Sequence, residues 1–190
     1  MTEEKRTNPI NPSTASYLLH PKLTVLLTCT DGAGKANITT LAWAMPVSMN
    51  PPLLAVSISP RRHSHKLVEE TREFVINIPT MEFVEETLFC GRRSGRDFDK
   101  FKETKLTPSP AKTVKPPIIK ECIAHIECKL YKQISAGDHT LFIGEIKAAY
   151  VNENAFTGEY DLSRNKLIFH VGDNKFATLE TKIVEPRLKR

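Results

Sequence analysis

The chain has 190 residues, long enough for one domain with a sizeable core, and its 40% hydrophobic and 26% charged residues are those of a soluble globular protein. No stretch approaches the roughly 18 uninterrupted apolar residues of a membrane span, and the polar, proline-punctuated start (MTEEKRTNPINPS) lacks a secretory apolar run. A membrane role is therefore not expected, and the cytoplasm is. The net charge of +5 is spread among nearly as many acids, with only Arg187, Lys189 and Arg190 concentrated, which argues against nucleic acid and suits a phosphorylated cofactor or dinucleotide.

In chain order, Leu23 to Cys29 is a short apolar run that stops at Thr30-Asp31-Gly32-Ala33-Gly34, a turn rich in residues that tolerate positive φ, so a hairpin is predicted. Ile38 to Ser48 resumes an apolar stretch, Asn50-Pro51-Pro52 breaks it, and Leu53 to Ser59 alternates with Leu54, Val56 and Ile58 on one face. His63 to Thr71 reads as a short helix, Phe74 to Ile78 as a strand, and Met81, Val84 and Leu88 recur at helical spacing up to Cys90. Ser94-Gly95-Arg96-Asp97 is a turn leading into a helical turn with Phe98 and Phe101. Thr107 to Pro117, with four prolines, is a crossing loop inside one domain.

The second half is more regular. Cys122 to Leu130 alternates as a half-buried strand, Gly137-Asp138 turns the chain, and Leu141 to Val151 returns with Phe142, Gly144, Ile146, Ala148 and Tyr150 on one side. Leu167 to Val171 adds a last strand. Many strands and few helices predict a mainly β fold: a single antiparallel barrel with peripheral helices, a 1–16 extension and a 176–190 tail. Cys29, Cys90, Cys122 and Cys128 show no C-x-x-C spacing and no matched histidines, so they read as buried thiols and no metal is expected. No catalytic triad, Walker loop or G-x-G-x-x-G fingerprint occurs.

One segment carries chemistry of its own. Small Ala42 and Ala44 around Trp43 let a backbone approach a flat ring closely, while Thr39, Thr40 and Ser48 offer hydroxyls; an ordinary strand ending in a turn is the competing reading. Trp43 fits a core position, a stacking partner or a subunit contact equally well. Arg62 and Ser64 precede the predicted helix, where free amides and the helix dipole favour an anion, although Ser64 also suits an N-cap. Arg61 is the substitute donor if Arg62 points outward.

The run Asn37-Ile38-Thr39-Thr40-Leu41-Ala42-Trp43-Ala44-Met45-Pro46-Val47-Ser48-Met49-Asn50-Pro51-Pro52 resembles the signature of the flavin reductase-like family. Ser59 to Ser64, Phe74 to Ile78, Ser94 to Asp97 with Asp99-Lys100-Phe101, and Gly137-Asp138-His139 with Gly144-Glu145 follow in the family's order. The resemblance implies an FMN-binding split β-barrel, built as a homodimer. It implies a ring and ribityl site along Asn37, Thr39, Thr40, Ala42, Trp43, Ala44, Pro46, Val47 and Ser48, and a phosphate site at Arg61, Arg62 and Ser64. It further brings Ser94, Gly95 and Lys100 near the cofactor or the partner subunit; Lys100 then either reaches a phosphate or lies on a solvated helix face. His63 stands where family members often carry an aromatic residue. His139 is placed beside flavin and nicotinamide as the candidate catalytic residue, with a structural role the alternative. The implied function is an NADH- or NADPH-dependent flavin or ferric reductase, passing electrons to free flavin, a ferric complex or a protein; a flavoredoxin-like carrier is the second reading.

Overall fold

A computed structural model of the chain describes residues 8–186 and 188, so the basic trio Arg187, Lys189 and Arg190 lies outside the described residues. A 3-10 turn over Pro12–Leu19 precedes strands β1 (Lys22–Leu23), β2 (Val25–Thr30), β3 (Ala36–Leu41), β4 (Ala44–Met49) and β5 (Pro52–Ile58). Helix α1 (His63–Thr71) and strand β6 (Glu73–Ile78) follow, then α2 (Val84–Arg92), α3 (Lys100–Thr104) and the short strands β7 (Pro108–Ser109) and β8 (Ile118–Ile119). The long hairpin of β9 (Ala124–Ala136) and β10 (His139–Val151) leads to β11 (Phe169–Gly172) and β12 (Lys175–Ala177).

Seven strands form one antiparallel sheet in the order β3-β2-β6-β9-β10-β5-β4. Its two edges, β3 and β4, are consecutive in the chain and joined only by Ala42 and Trp43. Three Cα steps of 3.8 Å reach about 11 Å at most, so at this point the two edges must come side by side. The sheet is thus curled into a barrel that is not hydrogen-bonded shut along this seam. The continuous apolar stretch expected from Ile38 to Ser48 is divided here into two strands, because the chain changes edge at Ala42-Trp43.

Alternation along the strands fills the interior. Val25, Leu27 and Cys29 of β2, Leu54, Val56 and Ile58 of β5, Phe74, Ile76 and Ile78 of β6 and Phe142 of β10 share one core, into which α1 inserts Leu67 and Val68. Gly144 lets the Phe74 ring lie against β10, since a Cβ there would stand 2.5 Å from Phe74 Cζ. A second core on the outer face holds Leu26 and Ile38 with Cys90 of α2, Phe101 of α3, Leu106, Ile119 and Cys122. All four cysteines are buried and free. Burial pushes the Cys29, Cys90 and Cys128 thiols up to about 12 and raises Cys122 as well, so they stay protonated.

The second half departs from simple alternation at two points. The start of β9 is buried on both faces, because the 107–117 loop is clamped over it. The fully buried Glu127 carboxylate accepts from the backbone N–H groups of Lys112 (2.7 Å) and Thr113 (2.6 Å) and from Tyr150 Oη (2.9 Å). On β10, Lys147 is left unpaired in a bulge between Ile146 and Ala148, which moves Ala148 and Tyr150 to the face opposite Ile146. That shift brings Tyr150 to Glu127.

Candidate functional site

The loop between β5 and α1 and the loop between α2 and α3 converge on a cavity of about 120 Å³ beside β3. Arg61, Arg62, Arg92, Arg93, Arg96 and Lys100 line it with the hydroxyl residues Thr39, Ser64 and Ser94, and no carboxylate does. Among the described residues none of the five arginines is in a salt bridge. The guanidiniums of four of them are held by neutral partners instead. Arg62 donates to Gly91 O (3.2 Å), Arg96 to Arg61 O (3.2 Å), and Arg92 to Asn174 Oδ1 and Asp173 O (2.7 Å each). Arg93 lies over the Phe98 ring. The cavity thus keeps an uncompensated positive field, the condition for capturing an anion.

Its floor is built around Asn37 and Lys100. Asn37 Nδ2 donates to Ser64 Oγ (2.9 Å), whose hydroxyl also lies within reach of the Cys29 thiol. Ser64 lies in the first turn of α1, whose N-cap is Arg62 without a side-chain cap bond, so the helix start is not closed by Ser64. Lys100 is buried rather than solvated: Nζ donates to Ile38 O (2.6 Å) and Cys90 O (2.7 Å), and the third N–H remains for the cavity. Burial lowers its pKa to about 8, with the Arg62 charge acting the same way. Burial and the charges of Arg96, Lys100 and Lys66 lower His63 too, which keeps that ring neutral near pH 7.

Two aromatic surfaces flank the cationic cavity. On one side Trp43, 41% exposed, packs against His139 with ring centroids 4.9 Å apart and planes tilted by 36°, and His139 Nδ1 lies 2.7 Å from Asp138 Oδ1. Asp138 is close enough to Arg61 for that charge to help hold its carboxyl below the usual range, after the hydrogen bond and charge of His139. On the other side a cavity of about 250 Å³ opens between the Pro12–Leu19 turn, α2 and the β11–β12 hairpin, sharing Arg62 and Arg92 with the first. Tyr17, His170 and Phe176 supply its aromatic lining.

The structure therefore gathers Thr39, Arg61, Arg62, Ser64, Ser94, Gly95 and Lys100 around one cavity, with Asn37 in its wall. Thr40 and Ala42 line the second cavity. Trp43 and His139 meet each other. Ala44, Pro46, Val47 and Ser48 lie along edge strand β4, outside both cavities. Sequence reasoning missed Arg92, Arg93 and Arg96 as residues of this cavity, although their clustering around Ser94-Gly95 was a usable signal. Tyr17, His170 and Phe176 carried none, being distant in sequence. Among the described residues no group of three or more His, Cys, Asp or Glu is placed to hold a metal ion, and no helix is long and apolar enough to cross a membrane.

A family model, the flavin reductase like domain, matches residues 18–173. The chain belongs to the flavin reductase-like family. An uncharacterized protein of Archaeoglobus fulgidus is 37% identical to it over 169 residues, covering 88% of this chain and 94% of that one. Among solved structures, the flavoredoxin of Methanosarcina acetivorans superposes with a TM-score of 0.85 at 28% identity, covering 97% of each chain. The flavoredoxin of Desulfovibrio vulgaris (Miyazaki F) gives 0.84 at 27% identity, over 96% of this chain and 97% of that one. The curled antiparallel sheet with few helices is thus the flavin-binding split barrel of this family.

Proposed function

We propose that this flavin reductase-like protein binds FMN and works as an NADH- or NADPH-dependent reductase that hands electrons to free flavin, a ferric complex or a protein. The observation that carries the reading is the cavity of five arginines and one buried lysine with no lining carboxylate, flanked by the Trp43–His139 pair. The residues fit the cofactor. A dianionic phosphate satisfies the guanidiniums, the free N–H of Lys100 and the Ser64 hydroxyl, while the chain from Thr39 to Trp43 leads from the cavity to the aromatic pair. Bound FMN supplies the redox chemistry, taking up hydride and releasing electrons.

The protein's own groups set the conditions for that chemistry. Asp138 accepts from His139 Nδ1–H and so fixes the tautomer and tilt of the ring against Trp43. A hydrogen-bond donor or imidazolium at this place stabilises negative charge developing on a reduced ring nearby. Support for a homodimer comes from β4, an edge strand whose Met45 (57% exposed), Val47 (41%) and Met49 (90%) present apolar side chains beside unpaired backbone.

Anaerobic mixing of FMN-loaded protein with NADH, and separately with NADPH, tests the reading. Rapid bleaching of the flavin's visible band is expected with at least one of them. The likeness to two flavoredoxins favours a second reading, an FMN carrier that exchanges electrons only with protein partners. Bleaching by neither nicotinamide, with reduction by a reduced iron–sulfur protein, would establish that one instead.

A further inference from the structure

Helix α1 reaches the site at two places. Ser64 lines the cationic cavity and meets Asn37, whereas the next residue, His65, is directed at β10. Its Nε2 lies 2.8 Å from Thr140 Oγ1, and both side chains are buried. Either imidazole tautomer makes this bond, because a hydroxyl both donates and accepts. The ring stands edge-on to Phe142, with centroids 5.0 Å apart and planes at 70°. One helical turn on, Glu69 Oε2 lies 4.0 Å from His65 Nδ1, and Glu69 also accepts from Gln133 Nε2 of β9 (2.9 Å). The imidazole is thus fixed against both strands of the long hairpin.

The end of that hairpin needs such an anchor. The ladder between β10 and β5 stops at Thr140 and Ile58, so His139 lies one residue beyond it. Tyr131 to Asp138 are all exposed. The partner of His139 on this side, Asp138, belongs to the same exposed turn and moves with it. Successive side chains of a strand face opposite ways, so Thr140 holds β10 from the Phe142 side while His139 meets Trp43 on the other.

We propose that His65 is a positioning residue for the flavin chemistry: through Thr140 it pins the start of β10 and so sets where the His139 imidazole stands against Trp43. The inference rests on the reading of His139 as the group beside the reduced ring. Helix α1 then serves both ends of the bound flavin, the phosphate through Ser64 and the ring through His65. A displacement of His139 by about 1 Å is enough to slow the reaction while binding is kept.

Paired substitutions test this. Thr140→Val and His65→Leu remove the bond; Thr140→Ser and His65→Gln keep a partner for it. With FMN-loaded protein, the first pair should lower kcat for NADH or NADPH oxidation about tenfold with KM and FMN affinity unchanged, and the second pair should restore it. On a His139→Ala background Thr140→Val should cost nothing further, since its effect runs through His139. An equal loss on both backgrounds, or a loss of FMN affinity matching the loss of rate, overturns the proposal. Trp43 is the chain's only tryptophan, so its emission in flavin-free protein reads the same geometry without any reaction. Thr140→Val should alter that emission, and should leave it unaltered once His139 is alanine. Unaltered emission in Thr140→Val with His139 present overturns the proposal. Altered emission together with no reduction of FMN by either nicotinamide supports the positioning role and sinks the reductase reading alone. Thr140→Val keeps the shape of the side chain, which guards the test against misfolding in His65→Leu.

Discussion

A Cβ at position 95 would stand 2.0 Å from Asn37 Oδ1, so the loop carrying Ser94 and Arg96 sits directly on the asparagine that donates to Ser64. Asn37 is buried and cannot swing away without breaking that bond. Gly95→Ala is therefore expected to lift the loop from the cavity and weaken FMN binding about tenfold or more, while thermal stability falls by only about 1 to 2 kcal/mol. Parallel fluorescence titration and thermal melts check this.

Arg62 and Ser64 approach the cavity from the start of α1. Replacing both with alanine should cost about 2 to 4 kcal/mol of FMN affinity, from loss of a charge-assisted pair. Unchanged affinity in the double variant would show that the phosphate lies elsewhere.

Lys100 ties anion binding to pH. Burial lowers its pKa to about 8, and a bound phosphate favours the charged form, so FMN affinity should fall as pH rises through about 8. Lys100→Met should flatten that dependence. It should also destabilise the fold by about 2 to 4 kcal/mol, because the carbonyls of Ile38 and Cys90 lose their donor. Isothermal titrations across pH 7 to about 9.5 distinguish the two effects.

Acid should act through His125. Burial lowers its pKa from 6.5 to about 4, and its Nδ1–H donates to Asn77 Oδ1 (2.8 Å), which also accepts from Ile119 N (3.0 Å). Between pH 6.5 and 4 the unfolded chain binds the proton that the folded chain refuses, so stability is lost as pH falls through this window, by about 3 kcal/mol in full. Denaturant midpoints at pH 7 and 5 should differ in the wild type and converge in His125→Gln.

The strands and α1 were legible because each has a period, a turn residue or a helix-start pattern that local physics enforces. His63–Thr71 came out with the bounds read from sequence. The two-sided burial of β9 was not legible, since it depends on Glu127 gathering donors from a loop fourteen residues away. Nor was the facing of Tyr150, because a single-residue bulge at Lys147 inverts everything after it. At the site, Arg62, Ser64 and Lys100 followed from motif order. The burial of Lys100 did not: five residues of helix say nothing about the carbonyls of β3 and α2 that accept from its ammonium.

The seam at Ala42-Trp43 has a consequence for the order of folding. The β4–β5 pair joins the sheet only through β10, more than eighty residues downstream, while β3 is attached early through β2. The two sides of the cationic cavity therefore belong to parts of the chain with different contact partners, and they meet only after the last long hairpin is in place. Cofactor uptake by a nascent or truncated chain would mark the moment at which β10 docks.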